Sequence, residues 1–156
     1  MLSKLFSKGN KPPAKKIGYE EAKKLASDPD DNVRADIAAR TDLKPEILYF
    51  LAADPSAEIR RIIAANATAP RQADLLLSRD ADVTVRESLA EKISRVAPGL
   101  SAAEADKLRT MTHDALSTLA RDQAVRVRQI LAEALKEVAN APPDVIRKLA
   151  WDAEIS

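Results

Sequence analysis

The feature that limits the fold of this chain most strongly is a four-residue pattern that occurs five times. Each copy has leucine first, a small residue second and aspartate fourth. The aspartates are Asp28, Asp54, Asp80, Asp122 and Asp152. Successive aspartates are 26, 26, 42 and 30 residues apart. Several columns that recur at such spacings are typical of proteins built from stacked structural repeats.

An arginine follows each of the first four aspartates by six residues. These arginines are Arg34, Arg60, Arg86 and Arg128, and each comes directly after a valine or isoleucine. Three residues later comes an apolar residue followed by alanine, as in Leu131 and Ala132. Apolar residues four apart, such as Val127 and Leu131, lie on one helical face. We therefore predict a first helix in every unit.

A proline-containing break and a second helix complete each predicted unit. Pro45 and Pro70 stand at or just before the start of a second helix, where a missing N–H costs little. We predict that the second helices bury Ile47, Phe50 and Leu51 in one unit and Ala73, Leu76 and Leu77 in the next. The third unit is longer by 16 residues. The chain is 46% apolar but only 3% aromatic and has three glycines, which favours an all-α fold with close helix packing.

We interpret the recurring aspartates and arginines as a structural ladder and not as an active site. An aspartate between two helices can act as an N-cap, and Asp28–Pro29 and Asp54–Pro55 fit that role. Each arginine could bond an aspartate or a helix-end carbonyl of its own or a neighbouring unit. Structural groups recur in every repeat, whereas catalytic groups need not.

The stretch DPSAEIRRIIAANATAPRQADLLLSRD resembles a leucine-rich-repeat variant unit, and the longer later units resemble HEAT repeats. From about Tyr19 to Ile155 the chain is similar to the amino-terminal part of a bacterial family of unknown function with HEAT-like repeats. The resemblance implies a right-handed α-solenoid that binds other macromolecules. We expect about four full units and a partial fifth that begins at LAWD. Members of that family often extend further, so we expect either more chain or self-association at this unfinished edge.

The sequence offers little for catalysis or for a cofactor. It has no cysteine, so thiolate metal sites, iron–sulfur ligation and a cysteine nucleophile are excluded. His113 is the sole histidine, beside Asp114 on a predicted helix, and we interpret it as a surface or packing residue. No glycine-rich phosphate loop or nucleophile elbow occurs. We expect a protein without enzymatic activity and without a cofactor.

Residues 1–18 are predicted to form a basic flexible arm before a repeat domain over residues 19–156. Five of the 25 basic residues and none of the 24 acidic ones lie in residues 1–16, so the rest of the chain carries a net charge of −4. Leu2, Leu5 and Phe6 among these lysines could touch an anionic membrane surface weakly. No apolar run reaches the roughly 18 residues of a membrane span. We expect a cytoplasmic protein.

The function that we predict is a protein-interaction or regulatory scaffold with a curved helical surface. The partner-contact candidates are Tyr49, Arg71, Arg79, Arg121 and Trp151. One alternative is a peripheral membrane-associated adaptor that binds through the basic arm. The other is a nucleic-acid-binding HEAT-like module that uses Arg60, Arg61, Arg71, Arg79, Arg86, Arg121, Arg126 and Arg128. The acidic balance of residues 17–156 and the lack of interleaved aromatics disfavour the nucleic-acid alternative.

Overall fold

The computed structural model describes residues 15–96, 103, 113–135 and 147, and every regular element among them is an α-helix. The all-α prediction is therefore confirmed for this part of the chain. Trp151, the partial fifth unit and the apolar residues of the arm lie outside the described residues. The helices are α1 Tyr19–Ala26, α2 Asp31–Ala38, α3 Pro45–Leu51, α4 Ala57–Ala65, α5 Arg71–Leu77, α6 Val83–Val96, α7 at residues 113–119 and α8 Val125–Leu135.

The helices begin where local sequence signals favour a start. Pro45 is the first residue of α3 and Pro70 is the N-cap of α5, positions at which a missing N–H costs little. Asp30 is the N-cap of α2, and its carboxylate accepts the backbone N–H of Asn32 at 2.8 Å. The breaks at Pro45 and Pro70 are therefore where the sequence predicts them, and the later predicted breaks lie outside the described residues.

The helices contact one another in two rows. Helices α2, α4, α6 and α8, here the even row, contact each other in that order. Helices α1, α3 and α5 do the same, and an ion pair between Arg71 and Asp114 connects α5 to the described part of α7. These four helices are the odd row. Each of α1, α3 and α5 also contacts the even-row helix that follows it, so burial between the rows stabilises helices too short to persist alone.

The apolar columns of the repeat form the core. The buried members are Ile37, Ile59, Ile63, Val85, Leu89, Val127 and Leu131, together with Ala38, Ala64 and Ala90. Val33 and Ala132, from the first and last described units, are half-buried. Alanine at these positions lets neighbouring helices approach closely, because a larger side chain would need space that the core does not have.

The structure corrects the prediction for two residues of the second helices. Phe50 is 57% exposed and Leu76 is 44% exposed, although both were expected in the core. In α3 the buried residues are Ile47, Leu48 and Leu51, and α5 buries the equivalent positions. At 3.6 residues per turn, Phe50 lies about 100° from the centre of that buried stripe. The spacing of apolar residues along the helix predicts a buried stripe, but it did not show which of the residues beside that stripe face solvent.

Candidate functional site

Arg34, Arg60 and Arg86 of the ladder each join two consecutive repeat units. The guanidinium of Arg60 donates to both carboxylate oxygens of Asp80 in the next unit, with Nε–Oδ2 at 2.8 Å and Nη2–Oδ1 at 3.2 Å. Its Nη1 donates to the backbone carbonyl of Asp54 in its own unit at 2.8 Å. The fork of the guanidinium thus binds a carboxylate on one side and an interhelical turn on the other.

The same geometry recurs along the even row. Arg34 joins Asp54 to the carbonyl of Asp28, and Arg86 joins Asp122 to the carbonyl of Asp80. Arg128 donates to the backbone carbonyls of Asp122 and Gln123. The structure therefore brings the eight residues of the sequence-derived ladder into one continuous chain of contacts.

The aspartates stabilise the turns before the helices and are not N-caps, so that prediction is wrong. The N-caps of α2 and α4 are Asp30 and Ser56, two residues after the ladder aspartates. Oδ1 of Asp54 accepts the N–H of Ser56 at 2.9 Å. The same turn occurs at Asp28, Asp80 and Asp122. Such an Asx turn leaves the second carboxylate oxygen facing an arginine of the preceding unit, which an N-cap position would not.

The paired charges of the ladder are largely removed from solvent. The side chains of Arg34 and Asp54 are 11% and 3% exposed. The hydrogen bond to Asp54 raises the pKa of Arg34, and the bond to Asp80 raises the pKa of Arg60 in the same way. Each paired carboxylate accepts from a guanidinium and from a backbone N–H. This arrangement suits a structural clamp better than proton transfer.

A second set of contacts joins the other ends of the even-row helices. Arg40 donates to the carbonyl of Lys15 at 2.9 Å, Asn66 to that of Arg40 at 2.8 Å, and Lys92 to that of Asn66 at 3.3 Å. We call Arg40, Asn66 and Lys92 the carbonyl ladder, because each reaches back to a backbone carbonyl of the preceding segment. Its members are 26 residues apart, which is also the spacing of the first three ladder aspartates. The sequence pattern did not show this ladder, because its three members are different residue types.

Two members of the carbonyl ladder are buried. Asn66, 7% exposed, also donates to the carbonyl of Ala38 at 2.8 Å, so one amide holds two carbonyls at the end of α2. Lys92, 6% exposed, forms an ion pair with the buried carboxylate of Asp74 on α5. Burial raises the pKa of Asp74, and the charge of Lys92 opposes that rise. The pair connects the odd row to the even row.

A groove of about 620 Å³ opens beside the first rung of the ladder, and we call it the apolar groove. Tyr49, Phe50 and Leu76 line it and are 48%, 57% and 44% exposed. Pro29, Pro55 and two alanines add to its apolar lining. Aromatics are only 3% of the chain, so two adjacent exposed aromatic residues are a feature to explain.

A second groove, of about 340 Å³, lies further along the odd row and is here the basic groove. Its lining includes Arg79 and Arg121, both exposed, together with Thr118 and Gln123. Three of the predicted partner-contact residues, Tyr49, Arg79 and Arg121, therefore line one of the two grooves. Arg71 is exposed and contacts Asp114 at 3.3 Å, whereas Trp151 lies outside the described residues.

The arginines predicted to contact nucleic acid differ in how they are paired. Arg60 and Arg86 belong to the ladder, Arg61 pairs with Glu58, and Arg71 pairs with Asp114. Their charges are thus neutralised in place. Arg128 donates to the turn of its own unit. The exposed Arg79, Arg121 and Arg126 have no ion pair within the described part of the chain.

The described residues assemble no metal-ligand cluster. Among them no group of three or more histidine or carboxylate side chains is arranged to hold a metal ion. His113 is exposed, and its Nδ1 lies 3.8 Å from Oδ1 of Asp114. None of the described helices has both the length and the apolar character of a membrane span.

Both grooves lie between residues of the odd row and the Arg–Asp ladder, since Arg34 and Asp54 line one and Asp80 and Arg86 line the other. Both ladders hold successive units of the even row together. Comparison of the chain with known protein families, curated proteins and solved structures gives no match.

Proposed function

We propose that this chain is a HEAT-like α-solenoid that binds other proteins and catalyses no reaction. The observation that carries the proposal is the exposed cluster of Tyr49, Phe50 and Leu76 on the odd row. Tyrosine and other aromatic residues are enriched at protein interfaces, where they bury much area at little entropic cost. The solvent-facing side of the odd row would be the binding surface.

The solenoid arrangement is supported by the regularity of the contacts between units. Equivalent helices contact in chain order in both rows, as stacked hairpins do. The Arg–Asp ladder connects each of the first three units forward to the next, and the carbonyl ladder connects each of them back to the preceding segment. Because the two ladders fix successive units relative to one another, the surface loses little conformational freedom on binding, which favours affinity.

Nucleic acid is the weaker candidate. Binding to a phosphate backbone needs several cations that are free to displace counterions. Arg60, Arg86, Arg61 and Arg71 are already paired with carboxylates. A cytoplasmic location, and weak membrane contact through Leu2, Leu5 and Phe6, stay predictions from the sequence.

Affinity capture from the source cells, with cross-linking and mass spectrometry, tests the proposal. The variant Tyr49→Ser/Phe50→Ser/Leu76→Ser should lose most of the proteins that the original chain captures. The matched control is Val83→Ser/Val125→Ser, which removes two exposed apolar residues at the start of even-row helices. Capture that survives the triple substitution, or that consists of nuclease-sensitive nucleic acid, would contradict the proposal.

A further inference from the structure

The apolar and basic grooves adjoin at the C-terminal end of α5. Leu76 lines the apolar groove, and Arg79, three residues later, lines the basic groove. Arg79 lies two residues beyond Leu77, the last residue of α5, in a turn in which its backbone N–H donates to the carbonyl of Leu76 at 3.2 Å. Phe50 lies on α3, which contacts α5 directly. An apolar wall and a cationic wall are thus next to each other on one surface of the odd row.

The basic groove carries positive charge that the fold does not use. Arg79 and Arg121 have no side-chain hydrogen bond or ion pair within residues that the structure describes. The adjacent carboxylates cannot neutralise them, because Asp80 is bound by Arg60 and Asp122 by Arg86. Two free guanidinium groups therefore line a groove whose nearby acids are already occupied.

We propose that the two grooves together bind an acidic peptide segment of another protein that also carries a large apolar side chain. This inference rests on the proposed function and names the chemistry of the partner. The apolar side chain would fill the groove of Tyr49, Phe50 and Leu76. An aspartate or glutamate would lie between Arg79 and Arg121, whose planar forks match carboxylate oxygens.

The spacing of the two groups follows from helix packing. Neighbouring helices have axes about 8–10 Å apart, so the apolar anchor and the acid should be separated by roughly 10 Å. In an extended peptide that distance corresponds to about three residues. Complementary charge selects the partner and speeds association, while the apolar anchor supplies most of the affinity.

A library of random short peptides displayed on phage, selected against the full chain, tests this inference. Enriched peptides should share a large apolar residue and an aspartate or glutamate about three residues away. For a synthetic peptide of the enriched sequence, Arg79→Glu/Arg121→Glu should weaken binding about tenfold or more, as measured by fluorescence anisotropy. Binding to the original chain should weaken as salt is added.

Arg95→Glu/Arg126→Glu is the matched control, since both arginines are exposed on the even row and unpaired within the described ranges. It makes the same charge change and should leave peptide affinity unaltered. If circular dichroism shows that the glutamate variant of the basic groove is unfolded, Arg79→Gln/Arg121→Gln takes its place.

Three results would overturn the inference: no enriched peptide, enriched peptides without acidic residues, or affinity that only the Arg95/Arg126 variant reduces. The last would leave protein binding itself standing, because it would move the site to the other row. Tight binding of a mixed-sequence single-stranded oligonucleotide that Arg79→Glu/Arg121→Glu abolishes would assign the groove to phosphates instead. Failure of the proposed function would be seen separately, if the proteins captured from cells were the same for the original chain and for Tyr49→Ser/Phe50→Ser/Leu76→Ser.

Discussion

Replacing Arg60 by methionine removes the central rung of the Arg–Asp ladder. The substitution keeps a long apolar side chain but deletes both bonds to the carboxylate of Asp80 and the bond to the carbonyl of Asp54. Asp80, whose side chain is 8% exposed, would keep its negative charge without its cation. We expect this unpaired carboxylate to dominate the loss of stability.

The size of the loss follows from burial. Removing one partner of a fully buried ion pair costs about 3–5 kcal/mol. The side chain of Arg60 is 19% exposed, so water can partly solvate the remaining charge and we expect about 2–3 kcal/mol. For a chain of this size that corresponds to a fall in melting temperature of about 5–10 °C. The unfolding transition should also broaden, because the rung connects consecutive units.

Urea unfolding followed by circular dichroism measures the free energy and the sharpness of the transition. The matched control is Arg61→Met, the same substitution one residue along α4. Arg61 pairs with Glu58 at the surface, with side chains 43% and 61% exposed, and such pairs contribute at most about 1 kcal/mol. Combining Arg60→Met with Asp80→Asn should recover part of the loss, since no charge is then stranded.

The structural interpretation of the ladder would be refuted if Arg60→Met and Arg61→Met destabilised the chain equally. It would also be refuted if the double variant showed no coupling between Arg60 and Asp80. Either result would mean that the recurring charges are exposed to water in the folded protein.

Three further substitutions test other parts of the fold by urea unfolding. Asn66→Ala should cost about 2–3 kcal/mol, because the buried carbonyl of Ala38 and the part-buried carbonyl of Arg40 lose their donor; a cost below that of one exposed hydrogen bond would contradict the carbonyl ladder. Ala64→Leu should cost about 1–3 kcal/mol by overpacking, whereas Ala65→Leu, at an exposed position, should be nearly neutral. Lys92→Met leaves the carboxylate of Asp74 buried alone, which raises its pKa further in the folded state. A carboxyl group whose pKa is higher in the folded than in the unfolded state stabilises the fold most below its unfolded pKa of about 3.9, and this stabilisation is lost as pH rises. The free energy of unfolding of Lys92→Met should therefore fall further below that of the original chain at about pH 7 than at about pH 5.

The local sequence predicts what happens inside one repeat unit. Proline at positions 45 and 70 starts the second helices, and valine or isoleucine four residues before another apolar residue defines a buried stripe. These signals act over one or two helical turns, so helix order and most of the core could be predicted from the sequence. The recurrence of Asp and Arg likewise predicted contacts between units, without showing which aspartate each arginine would choose.

The contacts between units depend on the tertiary structure. Arg34 bonds the carboxylate of Asp54 in the next unit, whereas of Asp28 in its own unit it bonds only the backbone carbonyl; helix packing and not sequence distance determines which of the two ladder carboxylates it binds. The exposure of Phe50 and Leu76 has the same origin, because a neighbouring helix decides which flank of an apolar stripe is covered. The sequence by itself thus determined the repeat, its helices and its aliphatic core, since these follow from short-range spacing. Only the tertiary structure decided the partners of the charges and the residues left exposed on the odd row, since both depend on the packing of units far apart in the chain.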